Sequence, residues 1–384
     1  MNPAARAAAG HAESGGRRIE VSSTPVCPEW DAFLDALPGA HFEQLSGWAA
    51  VKARYGWETL RLVARRGDRI VGGAQVLTRR IGRFGRIGYL ARGPAVAADE
   101  PDLALALVGR MDEEARRARW LYGVCDHAYD GQALATAMAA AGYGPHPPGI
   151  PPSGLMGATA VIDLVGSEAD LIARLRPDVR RGLARARRSG FAWREGTAAD
   201  LPQFRKLMAA TCARRGTQPT PPQPDYFERL WAEMGSAGRV AVFVLRMSET
   251  DIAAAFGFAT GRTLRVWKVG WDGSHSENQP NRLLWWEMMQ WARARDFRTL
   301  DIVGLDLADA HLALRGAGSM TAFRDGTTNF KLGFGSQIRL LPGAQAKFFH
   351  PALRLAMAAG GRRFLAGRWG RSLLARYWAR AGQS

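Results

Sequence analysis

Two stretches of the chain carry the same pattern of apolar and polar positions. LRLVARRGDRIVGGAQVLTRR (residues 60–80) and VAVFVLRMSETDIAAAFGFATG (residues 240–261) each read as an apolar strand, a polar turn and a second apolar strand. The turns, Gly-Asp in one and Ser-Glu-Thr-Asp in the other, are made of residues that favour a tight reversal, so each stretch predicts a β-hairpin. The run of elements after each hairpin repeats as well. The first hairpin leads to a strand at 87–90, a helical stretch at 102–117 and a strand at 120–125; the second leads to a strand at 263–270, a helical stretch at 281–295 and a strand at 299–303. Strands joined through a helix imply a crossover, so the expectation is an α/β (α+β) fold built twice, each half a mixed, mostly antiparallel sheet flanked by helices.

The Gly- and Pro-rich segment 144–154 reads as the linker between the halves, and the Pro-rich run 219–224 as a loop inside the second. The expected organisation is a disordered tail at 1–19, a first domain at 20–155, a second at 156–342 and a basic, aromatic segment at 343–384 that packs on the first domain. The helix beginning at Pro280 and Asn281 repeats Leu284, Met288 and Trp291 at i, i+4 and i+7. Its tryptophans Trp285, Trp286 and Trp291 read as packing residues, with ligand stacking as the other reading.

A second helix is marked by charge. From Pro177 to about Ser189, 100° per residue places Arg180, Arg181, Arg185, Arg187 and Arg188 within an arc of roughly 160°, with Val179, Leu183 and Ala186 on a narrower apolar stripe. One face packs and the other is a rake of guanidinium groups, read either as a solvated face or as a phosphate-binding one. The whole chain leans the same way: 52 basic against 35 acidic residues give a net charge of +17. Such an excess suits a polyanionic partner, whether nucleic acid, anionic membrane or phosphorylated metabolite. Heavy use of Ala, Arg and Gly offers a compositional explanation for part of it. In the segment 343–384, arginines and aromatics do not segregate around a helical wheel and glycines interrupt it, so peripheral membrane contact is the lesser of two readings beside packing.

Much chemistry is excluded. Cys27, Cys125 and Cys212 are far apart, and neither a disulfide framework nor a zinc site is spelled out. The seven histidines are scattered, and no nucleophile elbow or P-loop occurs, so no metal, hydrolase or nucleotide-hydrolase centre is expected, and no cofactor. Without an apolar signal core or a run of about 18 to 20 apolar residues, a cytoplasmic location fits, possible contact with the inner face of the membrane aside.

One element stands out in the rest of the chain. TTNFKLGFGSQIRLLPG (residues 327–343) sets Lys331, one of only five lysines in an arginine-rich chain, between Phe330 and a Gly-Phe-Gly turn. A lysine is a compact point charge on a flexible stem, suited to approach a developing oxyanion; the plainer reading is a snorkelling lysine at a strand end. Asp301 lies near the exit of the strand TLDIVG, either a functional carboxylate or a turn aspartate.

These phrases stand in order: GWAAVKARYGWE, GYLARGPAV, LRPDVRRGLARARRSG, a Pro-rich segment leading to Asp225-Tyr226-Phe227, QPNRLLWWEMMQWARARDFRTLDIVG and NFKLGFG. Over roughly residues 40–343 the ordered set resembles the Fem family (FemABX) of peptidoglycan-bridge aminoacyltransferases and their GNAT-like relatives. The resemblance implies twin GNAT-like domains and an enzyme that moves an amino acid from aminoacyl-tRNA, the donor, to an amine of a UDP-MurNAc-peptide or lipid-linked cell-wall precursor. It implies that Lys331 stabilises the tetrahedral oxyanion or the leaving ribose oxygen, that Lys52 and Arg214 or Arg215 grip the acceptor's phosphates, and that Tyr226 positions the acceptor or acyl group; Phe330 and Asp301 are the further candidates for the substrate site. No general base stands out. The glycine-rich pyrophosphate loop of acyl-CoA-dependent GNAT enzymes has no counterpart in ARGPAVAADEPD or DGSHSENQPNR. An acyl-CoA or acyl-carrier donor, acting on a lipid or polysaccharide amine, is the alternative, and an idle binding module a third reading. The long helical arm of some family members does not fit between Thr211 and Arg239.

Overall fold

The computed structural model describes residues 13–14, 16–81, 85–98, 100, 102–129, 131–152, 154–316, 323 and 326–361. The chain divides into two compact units, residues 1–155 together with 342–384, and residues 156–341.

In the first unit the expected hairpin is the pair Glu58–Arg66 and Arg69–Ile81, followed by the strand Gly85–Ala91, the helix Leu103–Arg117 and the strand Trp120–Asp126. The sheet also takes in Arg17–Ser22, which pairs antiparallel with Glu58–Arg66. Order therefore starts inside the segment read as a disordered tail, because Ile19 docks its side chain in the core beside Leu62 and Ala64. Residues 1–12 lie outside the described residues, as do residues 362–384 of the basic aromatic segment. Of that segment, Gln345–Phe348 forms a strand on Trp120–Asp126 and pairs with Gly144–Pro145, so the segment read as a linker begins as sheet. The Phe349 ring meets Trp120 edge-on at 6.3 Å. Gly85–Ala91 and Trp120–Asp126 are the parallel neighbours, joined from Arg86↔Trp120 to Ala91↔Asp126. They stay paired to the carboxyl end of both strands.

The second unit orders its strands Phe191–Glu195, Val240–Met247, Thr250–Thr260, Thr263–Trp271, Thr299–Asp301, Ala158–Asp163 and Gln337–Leu340. All neighbours are antiparallel except Thr263–Trp271 and Thr299–Asp301. The strands Val240–Met247 and Thr250–Thr260 are buried on both faces, which explains their near-continuous apolar run. One face holds Phe243, Leu245, Ala253 and Ala255 against the helix Pro280–Ala294, whose Trp286 and Met288 are fully buried. On the other face Phe204 of the helix Leu201–Arg214 and Phe227 of the helix Tyr226–Met234 pack on Phe256. The basic helix spans Pro177–Arg188, with Val179, Gly182, Leu183 and Ala186 buried, as the wheel requires.

The parallel pair differs between the units. In the second it holds for only Thr263↔Thr299, Leu264↔Leu300 and Arg265↔Asp301, after which the strands separate. A β-bulge sits just beyond: Gly257 faces Val266 and Phe256 faces Lys268, leaving Trp267 as the extra residue. The bulge reverses the alternation of the strand. Leu264 and Val266 before it, and Val269 and Trp271 after it, face the same core. Trp267 and Lys268 are thereby placed side by side on the opposite face. No helix among the described residues is long and apolar enough to cross a membrane.

Candidate active site

A cavity of about 690 Å³ opens in the second unit where the parallel strands part. The last registered pair is Arg265↔Asp301, and the walls begin with the next residue on each strand, Val266 and Ile302. Separation at the carboxyl ends of parallel strands is the usual origin of a binding crevice in a sheet with crossovers.

One wall is set by the helix Leu201–Arg214. Gly270 lets that helix lie against the strand Thr263–Trp271: a Cβ on Gly270 would stand 2.4 Å from Met208 N and 2.6 Å from Leu207 C. The Thr211 hydroxyl then accepts from Trp271 N at 2.8 Å and donates to Trp271 O at 3.0 Å, stapling the last turn to the strand. This fixes Cys212, Arg214 and Arg215 on the cavity rim. The exposed Arg214 guanidinium donates to Trp271 O at 2.6 Å and lies 5.0 Å over the Trp271 ring.

The opposite wall carries the Phe-Lys element, on the helix Gly326–Leu332 and not at a strand end. Arg176, at the start of the basic helix, holds it: its N–H donates to Gly333 O at 2.9 Å and its guanidinium to Asn329 Oδ1 at 2.8 Å. The glycines of the motif are needed for this approach. A Cβ at Gly333 would meet Val179 at 2.7 Å, and one at Gly335, whose φ is +73, would stand 2.7 Å from Arg174 O. Phe330 and Trp285 both line the cavity, their rings edge-on at 6.1 Å. Lys331 Nζ donates to the carbonyls of Val303 (2.6 Å) and Gly304 (2.5 Å). Val303 has φ +32, a costly conformation for a β-branched residue, and its N–H donates to Asp301 Oδ1 at 3.0 Å. Lys331 and Asp301 thus clamp a strained turn from its two sides.

Of the residues singled out from the sequence, Lys331, Phe330, Arg214 and Arg215 meet around this cavity. Asp301 and Tyr226 do not, and both are corrected to core positions. Asp301 is buried, with Thr159 Oγ1 donating to it at 2.6 Å and buried Arg265 3.6 Å away, because its strand is still inside the sheet at that point. Tyr226 is buried against Phe227 and Trp267. Lys52 belongs to the first unit, on the helix Ser46–Ala53, with Nζ 4.7 Å over the Trp48 ring. Burial draws its pKa below that of an ordinary lysine, Glu43 opposing and Arg79 reinforcing the effect. The rake is exposed at Arg180, Arg181, Arg185, Arg187 and Arg188 alike, apart from the contacts that two of them make. Arg185 donates to Glu277 O at 3.0 Å and Arg187 to Glu168 Oε1 at 3.3 Å, whereas Arg180, Arg181 and Arg188 have no partner among the described residues. Arg180, Arg187 and Arg188 rim a groove of about 320 Å³ floored by Ile172, Leu175 and Leu183.

Sequence reasoning missed Lys268, which lines the cavity beside Trp267. Its Nζ donates to Thr220 Oγ1 in the Pro-rich loop at 3.1 Å and lies 5.0 Å from the Trp267 ring. Burial lowers its pKa, and the nearby Cys212 thiol opposes this. The scarcity of lysine that marked Lys331 marks Lys268 equally. Among the described residues no group of three or more His, Cys, Asp or Glu side chains could hold a metal ion.

The mixed sheet with a cleft at its one parting parallel pair, lined by cations and aromatics, defines an acyltransferase unit of the GNAT kind, and residues 173–327 match the acetyltransferase (GNAT) domain family. Residues 26–247, more than half of the chain, match the FemAB family, and the protein belongs to that family. The crystal structure of FemX superposes with a TM-score of 0.74 at 17% identity, covering 88% of this chain and 99% of that one. A conserved protein of unknown function from Bacteroides thetaiotaomicron superposes with a TM-score of 0.54 at 12% identity, covering 85% and 98%. At such identities the likeness establishes the twin GNAT-like fold. No curated protein matches the chain in sequence.

Proposed function

We propose that this FemAB-family transferase takes an amino acid from aminoacyl-tRNA and joins it to an amine of a peptidoglycan precursor. Family membership supports the class of reaction. The observation that carries the reading further is the cavity itself, in which Lys331 and Phe330 share walls with Arg214 and Arg215. An aminoacyl ester is already activated, so the protein has to supply proximity and charge stabilisation and needs no metal. Lys331 faces the oxyanion or the leaving ribose oxygen, Phe330 packs on the reacting groups, and the two arginines hold phosphates of a UDP-MurNAc-peptide or lipid-linked acceptor. The rake on Pro177–Arg188 supplies the phosphate-binding face for the tRNA backbone or a diphosphate.

A CoA-linked donor is the second reading, favoured by the GNAT match over 173–327. Against it, the loop before Pro280 reads DGSHSENQ, without the run of glycines that lets backbone N–H groups cradle a pyrophosphate. The test is to incubate the protein and UDP-MurNAc-pentapeptide with either aminoacyl-tRNA or acetyl-CoA and to weigh the acceptor. A gain of one amino-acid residue from aminoacyl-tRNA is expected. An acetyl gain, no gain from tRNA, or acetyl-CoA binding tighter than about 100 μM, roughly 5.5 kcal/mol, overturns the reading.

A further inference from the structure

Transfer of an aminoacyl group from an ester to an amine forms an ammonium at the attacking nitrogen and an alkoxide at the leaving oxygen, and so requires a group that takes one proton and returns it. The cavity holds two lysines in different surroundings. Lys331 donates to two carbonyl oxygens, which only accept hydrogen bonds. Lys268 rests on a hydroxyl, Thr220 Oγ1 at 3.1 Å, which accepts from an ammonium and donates equally well to the lone pair of a neutral amine. It has no carboxylate partner among the described residues. The bulge at Trp267 turns Lys268 out of the regular alternation and onto the cavity wall.

We propose that the Lys268 amine is the proton shuttle of this enzyme. The step rests on the proposed aminoacyl transfer. The neutral acceptor amine attacks the ester carbonyl carbon; a C–N bond forms and the carbonyl pair moves to oxygen. Lys268 Nζ takes a proton from the new ammonium, the C–O bond to the ribose breaks, and the Lys268 ammonium returns that proton to the leaving oxygen. Amide and alcohol are the products, and Lys268 ends neutral. Lys331 keeps its proton throughout and serves the charge on oxygen. Burial, which favours the neutral form of Lys268, keeps the shuttle in its accepting state at lower pH than an exposed lysine would allow.

Two measurements test this. The first needs no substrate: trace labelling with acetic anhydride, which reacts with neutral amines, is followed by mass spectrometry at each of the five lysines as pH is varied. Lys268 is expected to label with a midpoint below that of Lys206, whose side chain is exposed. A shared midpoint, or a Lys268 that the reagent never reaches, overturns the proposal. The second uses transfer from aminoacyl-tRNA to UDP-MurNAc-pentapeptide. Lys268→Met is expected to lower kcat by about 10² to 10⁴-fold and to leave a residual rate that climbs with pH, and ethylamine is expected to restore turnover to Lys268→Ala. A folded Lys268→Met with wild-type kcat, or a folded Lys268→Ala that ethylamine leaves inert, overturns the proposal. Wild-type protein that transfers nothing from tRNA defeats the proposed function instead, and the labelling midpoint then decides the state of the amine by itself.

Discussion

Replacing Lys331 by alanine separates the two things its ammonium does. In the resting protein it donates to Val303 O and Gly304 O at 2.6 and 2.5 Å, closing a turn in which Val303 is held at φ +32. A hydrogen bond to a charged group contributes about 1.5–3 kcal/mol net, but Lys331, Val303 and Gly304 are all only half-buried, so the pair together is expected to stabilise by about 2 kcal/mol. For a unit of this size that lowers Tm by roughly 4–8 °C. The catalytic loss is larger: a point charge that acts only on the transition-state oxyanion is worth about 10² to 10³ in kcat, roughly 3–4 kcal/mol, with little change in acceptor KM. The assay is initial-rate transfer at a temperature well below the variant's own Tm, where the folded fraction is near unity. Lys331→Arg is expected to recover stability better than rate, because the planar fork cannot place its charge at the same point. A folded Lys331→Ala with wild-type turnover, or one whose lost activity tracks its unfolded fraction, refutes the catalytic role.

Neutralising Arg180, Arg181, Arg185, Arg187 and Arg188 together should weaken binding to tRNA and flatten its salt dependence in steps while Tm stays nearly constant; an unchanged slope in a salt titration shows a merely solvated face. Gly270→Ala would drive a methyl group into Leu207 and Met208, costing about 1–3 kcal/mol and displacing Arg214 and Arg215, so both melting and acceptor KM should worsen; unaltered kinetics would show that the rim does not depend on the staple. Asp200 accepts from Arg194 and from Thr197 N, and these bonds lower its pKa from the ordinary 3.8 to about 2, Arg194 contributing most. A lowered carboxylate stabilises fully above the unfolded value and loses that contribution as pH falls through the folded one, so Asp200→Asn should cost about 1–2 kcal/mol near pH 7, solvent screening of this part-buried group included, and progressively less as pH falls from about 4 to about 2; a gap in Tm that does not narrow over that range refutes the assignment.

The elements that the sequence revealed are those decided within a few residues. The hairpins, the basic helix and the long tryptophan helix each rest on local periodicity with turn or proline boundaries, and the Phe-Lys motif is a short contiguous string. The features that stayed hidden were decided across strands. Whether Asp301 meets substrate or Arg265 depends on which residue stands opposite it on Thr263–Trp271, and the bulge that puts Lys268 on the cavity wall is a mismatch of register with Thr250–Thr260. Neither leaves a mark in its own stretch of chain. Resemblance puts Tyr226 in the substrate site, and only the aromatic cluster around Phe227 and Trp267 makes it a core residue.

The return of Gln345–Phe348 to Trp120–Asp126 sets an order of events during synthesis. The contact between His127 Nε2 and Gln345 Oε1, 2.9 Å long, joins residues 218 positions apart. At about 5–20 residues per second a ribosome needs roughly 10–40 s to cover that distance. Throughout that interval the carboxyl-half edge of the first sheet waits with its N–H and C=O groups unpaired, the situation in which nascent chains pair with the wrong strand. The whole second unit emerges and has time to fold before the first can close. Emergence of residues 345–348, not of the first half, is therefore the moment at which the amino-terminal sheet becomes complete, and truncation between residues 341 and 345 should leave an aggregation-prone first unit and an intact second one.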